Sequence, residues 1–363
     1  MKPVSLYVHI PFCKLRCSYC TFYHVPHSRE YEHPLVEALV AELECAARDI
    51  SEPFVAPTVF VGGGTPSTLS SASLGRIFDT IAPYLCGTSE ITLEVNPEDV
   101  TVELAAYLGR LGVNRISLGV QSMNECALRS LKRCKAAVNR RAMELVRNRF
   151  DNFSVDLLLG IPGSIPGDIE ATVGMVLAYD PEHLSVYCLE SGGDMEREAS
   201  DFLAQVDTES SADEYFLVCR MLAEHGYHHY EVSNFARPGR ESRHNHMYWN
   251  GGDYLGIGPG AHSQLDGRRF HNESSIESYL QNAGGLGMRR PDRRDDGQKE
   301  LEEFMLALRT SRGLPLERLA CPPEVPVELV DQGLAVRIGD RLVLTDRGYL
   351  VLNDILFRLI RAA

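Results

Sequence analysis

Runs of consecutive apolar residues recur through the first 190 positions, and between them apolar positions return every three to four residues. The runs are VSLYVHI at 4–10, PTVFVGGG at 57–64, EITLEVNP at 90–97, VNRISLGVQS at 113–122, NFSVDLLLGIPG at 152–163 and HLSVYCLE at 183–190. Such runs are apolar on both faces, as parallel strands covered by helices are. The spacing between them predicts helices near 31–49, 71–84, 101–111, 124–150 and 167–178. Six strand–helix units in 190 residues predict an α/β fold, a whole or partial (β/α)6 barrel of the TIM type. An open doubly wound sheet has the same periodicity and remains the alternative.

The rhythm changes after 190. An acidic helical stretch at 194–224 leads into a Gly-, Asn- and His-rich segment at 228–263, so 191–290 reads as a loop-rich extension of the 1–190 core. The charged, Gly-rich run 285–298 looks like a linker or exposed loop. Beyond it come an amphipathic helix, a further helix, two short strands and a last helix, which predicts a small winged-helix-like domain over 291–363.

Polar residues cluster where each predicted strand ends. They are the loop after Ile10, GGGTPS at 62–67, Glu94 and Asn96, Gln121 and Ser122, Asp156, and Glu190. Taken singly, each has a plain structural explanation as a cap or a tight turn. Taken together, they mark the C-terminal rim of a barrel, where β/α barrels carry their sites.

Composition narrows the function. With 363 residues, 44% of them apolar, the chain can fill a sizeable core. A net charge of −14, from 36 Lys and Arg against 50 Asp and Glu, with no dense basic cluster, argues against nucleic acid, for the C-terminal domain too. The start of the chain has too short an apolar run for a signal peptide and no stretch has membrane-spanning length, so a cytoplasmic protein is expected.

Reduced cysteines in such a chain are core residues or metal ligands. Of the ten cysteines, Cys45, Cys86, Cys126, Cys134, Cys188, Cys219 and Cys321 are scattered singly and read as packing. Cys13, Cys17 and Cys20 instead fall within eight positions, as CKLRCSYC. A disulfide would leave one of them over. Zinc would need a fourth ligand, from His9 or His24. An iron–sulfur cluster normally takes four cysteines, so three would leave one iron open to chemistry.

CKLRCSYC resembles the CxxxCxxC signature of the radical S-adenosylmethionine (SAM) proteins. The likeness continues through LYVHIPFC, GGGTPSTL, EVNPEDV, RISLGVQS, VDLLLGIPG, PEHLSVYCLE, the 230–263 segment and LTDRGYLVLND. Spanning nearly the whole chain in order, these stretches are similar to the HemW and HemN group, the coproporphyrinogen III oxidase-like radical SAM proteins. The resemblance implies a radical SAM barrel in which Cys13, Cys17 and Cys20 hold a [4Fe–4S] cluster whose fourth iron is chelated by SAM. It implies that Tyr7 and Tyr19 contact SAM, and that Gly63, Gly64 and Thr65 bring backbone to its amino group, where a Cβ would obstruct. It places Glu94, Gln121, Arg133 and Asp156 around SAM, although by itself Arg133 reads as a surface helix charge.

Within the group, the oxidases carry a further cysteine two positions after the third, where this chain has Phe22. The heme-chaperone branch carries HNxxYW, here His244, Asn245, Tyr248 and Trp249. The resemblance therefore implies a protein that binds heme and hands it to an acceptor protein, peripherally if that acceptor is a membrane heme protein, with an oxygen-independent coproporphyrinogen III oxidase or a related tetrapyrrole radical SAM enzyme as the alternative. It makes His244 the expected iron ligand, whereas by itself the residue reads as a satisfied loop histidine. Two positions depart from the common pattern of the group: Thr21 stands where Asp is frequent, and Lys135 where His is frequent.

Overall fold

A computed structural model describes residues 1–189, 197–282, 289–319 and 321–361. Its strands β1 (Ser5–Ile10), β2 (Phe54–Gly63), β3 (Leu85–Val95), β4 (Arg115–Gln121), β5 (Phe153–Leu159) and β6 (His183–Cys188) pair in sequence order, all parallel. Helices α1 (Arg29–Asp49), α2 (Ser71–Ile81), α3 (Val102–Arg110), α4 (Glu125–Ser130), α5 (Ala136–Arg147) and α6 (Asp168–Leu177) make the crossovers. Polar caps fix where they begin: the side chains of Ser28, Ser70, Thr101 and Asn124 accept first-turn amides of α1 to α4.

The parallel run is one strand longer than the sequence pattern predicts. At its two ends, β7 (His228–Glu231) pairs with β8 (Asn234–Ala236), which pairs antiparallel with β6, and β9 (Tyr254–Ile257) lies parallel beside β1. β9 escapes a sequence reading because YLGI is only four residues long and sits between glycine-rich turns. Three antiparallel strands continue the sheet beyond β9. Val4, Leu6, Val8, Val59, Val61, Leu93, Ile116, Leu118, Val155 and Leu184 are all within 5% of full burial and form one core with the inner faces of the helices.

The remaining helices are α7 (Arg197–Leu203), α8 (Thr208–Glu224), α9 (Arg243–Trp249), α10 (Ile276–Gln281), α11 (Asp296–Leu308), α12 (Glu324–Asp331), α13 (Asp346–Leu350) and α14 (Leu352–Arg361). α9 lies against the N-terminal ends of the strands: the amides of Arg243 and His244 donate to Glu90 at the start of the buried part of β3. Residues 296–361 add four of these helices, α11 to α14, and a three-stranded antiparallel sheet built on the hairpin Ala335–Ile338 and Arg341–Leu344. Among the described residues no helix is long and apolar enough to cross a membrane.

Candidate functional site

The cysteine loop leaves β1 and is pinned at its base. Phe12–Cys13 pairs with Val25–Pro26, while the amides of Gly64 and Thr65 donate to the carbonyls of Ile10 and Phe12 at 2.8 and 2.7 Å. The glycine turn after β2 and the cysteine loop after β1 are thus one unit. Its glycines are required by this packing: a Cβ on Gly64 would lie 2.7 Å from the Phe12 carbonyl oxygen, and one on Gly63, at φ +109°, would lie 2.5 Å from the His9 ring.

The three cysteines share a cavity of about 420 Å³ at the C-terminal ends of the strands. None of the ten cysteines is in a disulfide. Thr65 Oγ1 lies 3.5 Å from Cys13 Sγ and accepts from Asn96 Nδ2 at 3.0 Å, and Arg133 Nη1 donates to Cys17 Sγ at 3.6 Å. Three thiolates on one loop would each take one iron of a cubane, whereas a structural zinc would need a fourth ligand. Burial pushes the Cys13 thiol up to about 11 and also raises that of Cys20, so thiolates in this loop call for a cationic partner.

Below the loop the cavity narrows onto two buried carboxyl groups. Glu94 accepts the Gly63 amide at 2.9 Å, and Asp156 accepts the Ser117 hydroxyl at 3.1 Å. Burial first, then the neighbouring Asp156, pushes the Glu94 carboxyl up to about 8. Burial also raises Asp156, to about 6, against hydrogen bonds from Ser185 and Ser117 and the charges of Arg115 and Arg133. A ligand that brings an ammonium and ribose hydroxyls would supply what these carboxyl groups lack. Gln121 also lines the cavity, held in a left-handed conformation at φ 67° by a register shift in the β4–β5 pairing. Strain of this kind collects at ligand sites.

The structure therefore brings together Cys13, Cys17, Cys20, Tyr19, Gly63, Gly64, Thr65, Glu94, Gln121, Arg133 and Asp156 around one cavity. Arg133 is no surface charge. It reaches inward from the turn after α4 to the Gly119 carbonyl and the cysteine loop. Tyr7 lies outside the cavity lining, beneath it, with its hydroxyl 2.8 Å from His9 Nδ1 and Glu94 nearby. Glu190 lies outside the described residues. Ser117, Gly119 and Tyr187, absent from the sequence expectations, also line the cavity. Two-residue alternation could have found them, because Ser117 and Gly119 share a strand face with Gln121, and Tyr187 shares one with Ser185.

His244 is not part of this site. It sits on α9, 1% exposed, at the opposite end of the strands. Its Nδ1 is 2.7 Å from Thr58 Oγ1 and its Nε2 3.1 Å from the Tyr248 hydroxyl. Thr58 donates its hydroxyl proton to Ser5, so His244 Nδ1 carries the donor hydrogen and Nε2 accepts from Tyr248. Burial lowers its basicity to about 3, so it stays neutral. In this arrangement both ring nitrogens are engaged by neighbouring hydroxyls.

Residues 7–176 match the family model described as the radical SAM superfamily. A heme chaperone HemW of Mycobacterium tuberculosis is 36% identical over 98% of this chain and 94% of its own length. A heme chaperone HemW of Bacillus subtilis is 32% identical over 97% of each. A bovine protein named radical S-adenosyl methionine domain-containing protein 1, mitochondrial, is 34% identical over 92% of this chain and 74% of its own. Among solved structures, coproporphyrinogen III oxidase (HemN) of Escherichia coli superposes with a TM-score of 0.85 over 99% of this chain and 90% of that one, at 21% identity. That likeness establishes the α/β fold.

Proposed function

The chain belongs to the radical SAM superfamily and, within it, to the family of the HemW heme chaperones, and from that membership we propose that it binds heme and passes it to an acceptor heme protein. The acceptor is a cytoplasmic or membrane-bound heme protein, met in the second case by peripheral association. The observation that carries the reading is similarity to heme chaperones along almost the entire length of both chains. The likeness to the oxidase, at 21% identity, concerns the fold.

The rim cavity is where the cofactors belong. Cys13, Cys17 and Cys20 would hold a [4Fe–4S] cluster, and Glu94, Gln121, Asp156 and Arg133 would hold SAM beside it. Together these groups supply one-electron reductive chemistry when bound. The chain's own residues do the positioning. Thr65 and Asn96 fix Cys13, Arg133 offsets the thiolate charge at Cys17, and the deep carboxyl groups set the orientation of a cationic ligand. Tyr7 acts from below, through His9 and Glu94.

Heme is cargo and needs an exposed, flat, apolar face. The mouth of the cavity offers one in Leu15, Phe22 and Tyr187, 70%, 72% and 43% exposed. His24 lines the same cavity, and its Nδ1 lies 2.9 Å from the Phe22 carbonyl oxygen. A carbonyl can only accept, so Nδ1 carries the hydrogen and Nε2 the lone pair, the state in which imidazole binds iron. We assign heme ligation to His24 and a structural role to His244.

The test is anaerobic reconstitution followed by iron and sulfide analysis, absorbance titration with heme, and chromatography of porphyrins after incubation with coproporphyrinogen III, SAM and reductant. One cluster per chain, saturable heme binding and no protoporphyrinogen are expected. Cys13→Ser, Cys17→Ser or Cys20→Ser should each lose the cluster, and Cys45→Ser should keep it. Protoporphyrinogen formed with turnover would move the protein to the oxidase branch.

A further inference from the structure

Far from the cysteine loop, a second group of ligand-type side chains meets where residues 296–361 dock on the barrel. Cys219 comes from α8, His229 from β7 and Asp346 from the first residue of α13. One ligand atom from each lies within 4.8 Å of the others, and theirs is the only such trio among the described residues. His229 Nδ1 is 2.8 Å from Asp346 Oδ1. The His229 ring is fixed from three sides, stacked on Phe235 at 4.1 Å and flanked by Tyr349 at 4.9 Å and Tyr215 at 6.0 Å.

A His–Asp hydrogen bond beside a packed thiol would be the plain account of this cluster. It does not explain why thiol, imidazole and carboxylate, carried on elements distant in sequence, converge with one ligand atom each inside 4.8 Å, which packing does not require. The Tyr349 ring that flanks His229 also carries a buried hydroxyl without a hydrogen-bond partner among the described residues, and buried polar groups are paired in all but a few cases.

We infer that Cys219, His229 and Asp346 form a zinc-class metal site that staples the C-terminal domain to the barrel. The donor set selects the ion: thiolate and imidazole exclude magnesium and calcium, and one thiolate with one carboxylate neutralises a divalent charge in a buried place. In tetrahedral zinc, neighbouring N and O donors stand about 3.3 Å apart, so the His229–Asp346 contact opens by roughly half an ångström and Cys219 closes in. Both are side-chain movements. Asp346, 46% exposed beside a His229 that is 11% exposed, gives the ion its way in and leaves the fourth position to water.

The measurement uses the full chain with Cys13, Cys17 and Cys20 all changed to Ser, so that the cysteine loop holds no metal. Cobalt(II) is titrated anaerobically as the probe, then displaced by zinc. A near-ultraviolet thiolate-to-cobalt band and intense visible bands saturating at about one cobalt per chain are expected, with zinc displacing it. Cys219→Ser should remove the near-ultraviolet band, and His229→Gln or Asp346→Asn should weaken binding by ~100-fold or more. Absence of the bands in the folded parent, with circular dichroism unchanged from wild type, overturns the site without reference to any variant. Bands that persist in Cys219→Ser overturn it equally.

Discussion

At the scale of the residue, the carboxyl pair under the cysteine loop dominates the electrostatics. Glu94 is raised from 4.5 to about 8 in the fold, so between those values the native state binds more protons than the unfolded chain. Stability therefore falls as pH rises through this window. Asp156, raised from 3.8 to about 6, adds the same sign lower down. In protein without cofactors, Glu94→Gln should raise stability at pH 8 by on the order of 2 kcal/mol and leave it nearly unchanged near pH 4.5. The same variant should bind SAM more weakly with its iron content intact. Urea denaturation at the two pH values and calorimetry with SAM check both halves, and equal stabilisation at both pH values would remove the titration account. Histidines give a second contrast. His244→Ala empties a buried site and strands the Thr58 and Tyr248 hydroxyls, so a loss of about 2–4 kcal/mol is expected. His24→Ala should leave the melting temperature alone and weaken heme binding, and the reverse pattern in a heme titration would restore His244 as the ligand.

At the scale of the element, what could be read from the chain follows from how local each signal is. Cys13, Cys17 and Cys20 belong to one loop, and the residues at strand ends follow from runs apolar on both faces, so the rim was legible. α9 was not. RHNHMYW looks like a polar loop because its apolar partners, Phe60 and Tyr254, lie on strands remote in sequence, and only tertiary contact turns its histidine inward. The family resemblance implies Tyr7 as a ligand contact, and in the strand its side chain lies in the layer below the cavity, against His9. The joint between the two loops makes a sharp demand on one element. Gly64→Ala would drive a Cβ into the backbone of Pro11 and Phe12, at 2.9 and 2.7 Å, with no flexible side chain to yield. We expect a cost of about 1–3 kcal/mol and impaired cluster assembly although every cysteine is present. Iron per chain after reconstitution, compared with the Gly174→Ala control on open helix surface, measures it.

At the scale of the whole molecule, the question is whether residues 296–361 are a separate domain, as the linker-like composition of 285–298 suggests, or part of one cooperative body. Backbone continuity favours the second. Val232 N donates to Arg309 O at 2.8 Å, Ser311 N to Tyr230 O at 2.9 Å, and Glu231 bridges to Thr310, so the C-terminal segment extends the edge of the sheet at β7. Side chains add Arg269 and Arg294 converging on Glu302 of α11, and the His229–Asp346 contact. Separating the two parts would strip buried backbone donors of their partners as well as expose Leu308, Tyr349 and Tyr230. The only tryptophan, Trp249, lies on α9 in the groove facing Leu306, Ala307 and Thr310, so its fluorescence reports this joint. Far-ultraviolet circular dichroism reports all the helices. In urea the two signals should trace one transition with a single midpoint, because neither part retains its hydrogen bonding without the other. A fluorescence change complete before the helical signal begins to fall would show that the C-terminal part undocks first and that the chain is two cooperative units.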